Sequence, residues 1–279
     1  MTDLDSILAR AERILERLEH ALPVEIETDW DGIAFRWVKK RGLVRVRHPH
    51  DIAIENLKGI GSQICLAEDN TRQFVKGFPA NNVLLTGARG TGKSSLVKAL
   101  LNRYCSEGLR LIEVEKKDLT DLPEIIERVE GRSERFILFC DDLSFDQDEG
   151  GYRELKVVLD GSVATAPENV LVYATSNRRH LMPEFMSENL ETKYRGEEIH
   201  PGETVEEKVS LSERFGLWIS FHSFDQEAYL KIVEQWLDHF AVGSRRGVKK
   251  AALQWALNRG SRSGRIAWQF ARDWAGKKS

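Results

Sequence analysis

Apolar positions along the chain change period three times, and each change predicts a different architecture. Leu4, Ile7, Leu8, Ala11, Ile14, Leu15 and Leu18 recur at helical spacing behind a capping box of Thr2 and Asp5, which predicts one amphipathic helix over 3–21, ending before Pro23. It falls short of three heptads, so packing on the main domain or on a neighbouring subunit is expected rather than a coiled coil. Residues 24–50 alternate in short segments, clearest from Leu43 to Arg47, and predict a small β element before His48, Pro49 and His50. From residue 81, continuous apolar runs at 82–86, 109–115, 135–140 and 169–175 alternate with helical periods at 93–105, 122–130 and 152–159. Strands of that kind are buried on both faces, which predicts an α/β fold with a parallel sheet sandwiched by helices. After Phe224 no further strand is predicted, and three helical patterns over 225–240, 248–259 and 265–274 predict a C-terminal helical lid. The expected division is therefore 1–50, an N-terminal helix and small β element; 51–223, an α/β domain; and 224–279, the lid.

Composition narrows the class. With 279 residues, 41% hydrophobic and 30% charged, the chain is long enough for a substantial core and too apolar for disorder. Its longest apolar runs, 136–140 and 170–174, are far short of the roughly 20 residues that cross a bilayer, so no membrane association is expected. The acidic, amphipathic N-terminus has no basic leader region, and a cytoplasmic location is expected. Cys65, Cys105 and Cys140 are too few and too scattered for a disulfide framework or a zinc site and are expected as buried hydrophobes.

Charge is unevenly spread. The net −3 conceals +9 over residues 241–279 and −12 over the rest; residues 33–50 hold six Lys or Arg and no acid, while 188–207 holds seven Glu against Lys193 and Arg195. Such blocks are either solvated faces or contacts for anions. Trp236, Trp255, Trp268 and Trp274 lie at helical spacing in the lid and are expected in its core rather than as stacking platforms for bases.

Gly87, Ala88, Arg89, Gly90, Thr91, Gly92, Lys93 and Ser94 match GxxxxGK[ST] without a gap, directly after an apolar strand and directly before a helix that continues with Ser95. That context identifies a phosphate-binding P-loop: glycines turn successive backbone N–H groups toward phosphate, and the helix N-terminus adds its partial positive charge. Lys93 is expected on the β- and γ-phosphates and the Ser94 hydroxyl on Mg²⁺. About fifty residues on, the apolar run from Phe136 ends in Asp141 and Asp142. Asp141 is expected to hold Mg²⁺ through water, and Asp142 stands where a general base for an attacking water sits, with a loop cap as its alternative role.

In order, the P-loop, the Asp141–Asp142 pair, the strand ending at Asn177, Arg214 within SERF, and Arg265 opening the last helix resemble an AAA+ ATPase over about residues 51–279. More closely, NNVLLTGARGTGKSSLVKALLN, CDDLSF, YATSNRRHL and EEKVSLSERFGLW resemble the bacterial AAA+ family known as domain of unknown function 815. The resemblance implies ATP and Mg²⁺ as cofactors, Asn177 as the side chain that orients the lytic water, and Arg214 as an arginine finger reaching the adjacent subunit. It further implies Arg265, or else Arg262, as the lid arginine, and Leu57 and Ile60 as apolar walls of an adenine pocket. Two departures stand out: Asp142 replaces the usual Glu and is one methylene shorter, and the interval from Asn177 to Arg214 is lengthened by the acidic 188–207 stretch, a loop or small added element that is either a substrate or partner contact or simply a surface loop.

The function so implied is Mg-ATP binding and hydrolysis at a shared subunit interface to remodel a macromolecular partner. Self-association into a homo-oligomer is expected, a hexameric ring being one form, with a protein partner favoured over nucleic acid. The alternative is an ATP-dependent switch or assembly scaffold with little turnover.

Overall fold

The computed structural model describes residues 27–145, 151–160, 167–177 and 211–278, together with Arg10 and the backbone of 194–195 and 198–199. The helix expected over 3–21 and most of the acidic 188–207 stretch lie outside the described residues. Strands β1 (Ala34–Val38), β2 (Gly42–Arg45), β3 (Val83–Gly87), β4 (Leu109–Glu113), β5 (Arg135–Cys140) and β6 (Val170–Ser176) are followed by β7 (Tyr194–Arg195), β8 (Glu198–Ile199) and β9 (Leu217–Phe221). Seven of them form one sheet in the order β2-β1-β4-β5-β6-β3-β9, parallel throughout except for the β1–β2 hairpin; β7 and β8 pair antiparallel with each other. Helices α1 (Gly61–Val75), α2 (Lys93–Tyr104), α3 (Leu122–Val129) and α4 (Tyr152–Asp160) belong to the sheet domain, and α5 (Gln226–His239), α6 (Val248–Asn258) and α7 (Gly264–Lys278) form the lid.

The four strands expected from continuous apolar runs are all present, and β5 and β6 are buried almost end to end, as a sheet covered on both faces requires. Alternate side chains of these strands feed two cores. On one face Val83, Leu85, Ile137, Phe139 and Tyr173 join α2 and the lid; on the other Leu84, Leu138, Val172 and Ala174 join α3 and α4. The small β element expected within 24–50 is the β1–β2 hairpin, and it extends the main sheet, with Phe35 beside Ile112 of β4. The three lid helices also form as expected, α5 being capped by Asp225, whose carboxylate accepts the Ala228 N–H at 2.7 Å. Trp236, Trp255 and Trp274 pack against the lid core, while Arg259 covers the Trp255 ring at 4.4 Å and Arg272 the half-buried Trp268 at 5.2 Å. The cysteines correct an expectation: Cys140 is buried, and burial pushes its thiol pKa up to about 12, but Cys105 is half-buried and Cys65 is exposed on α1.

Two elements go beyond the periodicity. Helix α1 buries Ala67, Asn70, Thr71 and Phe74, a helical stripe whose central members are polar. Those two are satisfied: Asn70 Nδ2 donates to the Asn81 carbonyl at 2.9 Å and to the Tyr173 hydroxyl at 3.0 Å, and the Thr71 hydroxyl lies 2.8 Å from the same oxygen. Burial pushes the Tyr173 phenol up to about 12, so it stays a neutral partner. Strand β9 closes the sheet beside β3, with Thr86 opposite Ser220 and Gly87 opposite Phe221. Gly87 has a φ of 127°, and a Cβ there would stand 1.9 Å from the Phe221 carbonyl oxygen.

Gly87→Ala is expected to cost about 2–3 kcal/mol, since positive-φ strain adds to a backbone clash. Gly61→Ala, at a helical position with nothing within 4 Å of a built Cβ, should leave stability unchanged or slightly raised. Thermal melts of the two variants check the contrast, at about 2–4 °C per kcal/mol for a chain of this size.

Candidate functional site

Register brings the motif residues to one level. Parallel pairing sets Thr86 beside Ser176 and Cys140 beside Ala174, so the chain leaves the carboxyl ends of β3, β5 and β6 at the same edge. Ligands of open α/β sheets collect at such edges. From β3 comes the loop 87–92, from β5 Asp141 and Asp142, and from β6 Asn177.

The loop is held by its own residues and by the lid. Gly92 N-caps α2 in the left-handed region and accepts the Leu96 N–H at 2.8 Å, while the buried Thr91 hydroxyl donates to the Ala88 carbonyl at 2.8 Å. Gly90, at φ 75°, lies so near the lid that an added Cβ would be 2.8 Å from Ser263 Oγ; its carbonyl accepts the Arg265 N–H at 3.4 Å. Lys93 is folded into the loop: its Nζ donates to the carbonyls of Gly87 at 2.6 Å and Ala88 at 2.8 Å, and to Asn177 Oδ1 at 3.0 Å. Burial lowers the Lys93 pKa; Asp142 and Asp141 work against that shift, and the charges of Arg89 and Arg265 add to it.

The two aspartates are held differently. Asp141 Oδ1 accepts from both the Ser94 and the Thr175 hydroxyls at 2.6 Å. Thr175 then accepts the Asp142 N–H at 2.9 Å, and its carbonyl takes the Leu143 N–H at 2.7 Å, pinning the turn that leaves β5. Asp142 sits at φ 54°, a left-handed conformation that Asp tolerates better than most residues. Asn177 Nδ2 donates to its Oδ1, and the Arg89 guanidinium lies 3.7 Å from its Oδ2.

Lys93, Ser94, Asp141, Asp142 and Asn177 thus converge, with Arg265 contributing its charge from the start of α7. Ser95 is half-buried on the first turn of α2. Ile60 is buried, its Cδ1 3.3 Å from where a Cβ of Gly92 would stand, and Leu57 packs against the same core. Beside them a cavity of about 350 Å³ opens between Lys58, Gly59 and the α5 residues Ala228 and Lys231. Arg214 stands apart: its guanidinium pairs with Asp160 at the end of α4. Arg262 is exposed, and of the two lid arginines it is Arg265 that meets the loop. Sequence reasoning passed over Thr175 and the Arg89 side chain. The signal for the first was a threonine near the carboxyl end of β6, whose sequence VLVYATS turns from apolar to hydroxyl-bearing there.

The donor set suits Mg²⁺. Ser94 and Asp141 offer two adjoining oxygens and leave the remaining positions to phosphate and water, as that ion prefers. Among the described residues no group of three or more His, Cys, Asp or Glu forms a fuller metal cage. Thr175→Val keeps the shape of the side chain but leaves the Asp142 N–H unpaired. It is expected to lower stability by about 1–3 kcal/mol, read as a shifted urea midpoint at unchanged m-value.

Comparison with known proteins fits this geometry. A family model described as "Protein of unknown function (DUF815)" matches residues 31–278. An alignment 89 positions long, taking in 28% of the chain, is 35% identical to the 26S proteasome regulatory subunit 4 homolog of Saccharomyces cerevisiae, of which it covers 20%. The Thermotoga maritima RuvB Holliday junction branch migration motor matches with a TM-score of 0.53 and 15% identity, over 80% of this chain and 63% of that one. One of its mutants matches with a TM-score of 0.55 and 12% identity, over 80% and 64%. At those identities the structural likeness is one of fold, and the chain spans about a fifth of the curated relative and under two thirds of the structural ones.

Proposed function

We propose that this chain, which belongs to the DUF815 family, binds Mg-ATP in the 87–94 loop and hydrolyses it to drive the remodelling of a protein partner. Its fold is that of an AAA+ P-loop ATPase, with a helical lid resting on the loop. The observation that carries the reading is the convergence of Lys93, Asn177 and Asp142 in one hydrogen-bonded chain across the mouth of the P-loop.

In this reading, Lys93 leaves the loop carbonyls for the β- and γ-phosphate oxygens, while the loop N–H groups cradle the phosphates. Ser94 and Asp141 would hold Mg²⁺, which neutralises phosphate charge. Asp142 takes a proton from water as the water oxygen bonds to the γ-phosphorus and the bond to the bridging oxygen breaks, leaving ADP and phosphate. Asn177 orients that water, Arg265 meets the phosphates from the lid, and Leu57 and Ile60 line the base. Because Asp142 is one methylene shorter than Glu and both its oxygens are engaged, by Asn177 and by Arg89, a slow-turnover switch or scaffold is the second reading.

The surface favours a protein over nucleic acid as partner. In the 33–50 stretch Arg36 pairs with Glu113 at 2.9 Å, Arg45 with Asp29 at 2.8 Å and Lys39 with Asp121 at 3.4 Å. In the lid Lys277 pairs with Asp273 and Arg245 with Asp238, while Arg259 and Arg272 lie over tryptophans. These contacts take up part of the basic charge and leave the remainder dispersed over two separate stretches of chain, a poorer match to a continuous phosphate backbone.

Lys93→Ala is expected to abolish ATP binding at micromolar nucleotide, and Asp142→Asn to retain binding while losing at least about a hundredfold in turnover. Titration calorimetry and phosphate release check these; turnover surviving in Asp142→Asn removes that residue as the base. Assembly is proposed to let Arg214 exchange Asp160 for the γ-phosphate of the neighbouring subunit, a contribution worth about 10³–10⁵ in rate in other P-loop systems. Arg214→Ala should therefore bind ATP normally and not turn it over. Mixing it with Lys93→Ala subunits should restore part of the activity, and strict inactivity at every ratio, with assembly verified, excludes the shared site.

A further inference from the structure

The P-loop uses Arg89 through its backbone; its side chain has a separate place in the site. It extends from the third loop residue across the mouth to Asp142, on the wall built by β5, with the guanidinium 3.7 Å from Oδ2. Both partners are largely exposed, at 78% and 59%. An ion pair in that setting is weak and readily exchanged for a stronger anion. Lys93, Arg89 and Arg265 set three positive charges against the two of Asp141 and Asp142, so these side chains carry an excess of positive charge. Asp142 is thereby held from both sides, by Asn177 at one oxygen and Arg89 at the other.

We propose that Arg89 is a γ-phosphate-discriminating side chain, which pairs with Asp142 and exchanges that carboxylate for the terminal phosphate of a nucleoside triphosphate. The inference rests on the nucleotide-binding reading above. Arg89 hangs from the loop that would cradle the phosphates and reaches the group that faces the attacking water, so a terminal phosphate between the two walls meets its guanidinium. A diphosphate ends short of that wall and leaves Arg89 with Asp142. The consequence is twofold: Arg89 contributes to triphosphate affinity but not to diphosphate affinity, and Asp142 is freed as base when the triphosphate arrives.

The test compares affinities for ADP and for a non-hydrolysable β,γ-imido ATP analogue, each with Mg²⁺, in the full chain. Arg89→Ala is expected to lower the preference for the analogue over ADP by on the order of ten- to a hundredfold, the range of one charge-assisted hydrogen bond, with ADP affinity changed less than about twofold. Arg89→Lys should recover part of it, keeping the charge without the planar fork. Asp142→Asn removes the competing carboxylate and should tighten analogue binding more in the Arg89 background than in the Arg89→Ala background, a coupling that a double-mutant cycle reads. An unchanged analogue-to-ADP ratio in Arg89→Ala, or strictly additive effects of the two substitutions, overturns the proposal while leaving the nucleotide reading intact. Failure of the unaltered chain to bind either nucleotide overturns both.

Discussion

The parallel register of β5, β6 and β3 is the constraint on which the site depends. Pairing Cys140 with Ala174 and Thr86 with Ser176 puts the Thr175 side chain level with the turn after β5. One hydroxyl there fixes both aspartates, donating to the Asp141 carboxylate and accepting the Asp142 N–H. A slip of one residue would turn Thr175 to the opposite face and leave Asp141 and Asp142 without that anchor. The packing of Val172 and Ala174 on one face and Tyr173 on the other makes such a slip costly, so apolar burial far from the chemistry sets the geometry of the acidic pair.

A second constraint ties the lid to the loop. Gly90 has no room for a side chain because Ser263 stands against it, and Ser263 in turn caps the start of α7, accepting the Ile266 N–H at 3.3 Å. Arg265 therefore reaches the P-loop by backbone contact before any nucleotide is considered. Any ligand that spreads the loop must therefore act on the lid as well, without requiring a long chain of intermediaries.

How far the fold could be read from the sequence follows from what each element buries. Strands β3, β5 and β6 announce themselves because both of their faces are largely apolar, and the P-loop because its glycines occupy conformations that other residues avoid. Helix α1 is silent because Asn70 and Thr71 hold its inward face, and their burial makes sense only once the Tyr173 hydroxyl and the Asn81 backbone are in place. Strand β9, from Leu217 to Phe221, was not among the predicted strands, and nothing local says that it pairs with β3. Within the site, Lys93, Ser94, Asp141, Asp142 and Asn177 were readable from motif order. Thr175 and the reach of Arg89 were not, since both depend on which strand ends lie side by side.

In the reading proposed above, this edge of the sheet is a working hydrolytic site and not only a nucleotide cradle. Steady-state release of inorganic phosphate, followed across a range of protein concentrations with Mg-ATP and again with the metal chelated, distinguishes the two. A working site gives Mg²⁺-dependent release whose rate per subunit rises with protein concentration, as neighbouring chains come together. Saturating ATP binding with phosphate release no greater than that of Lys93→Ala at every concentration would contradict it.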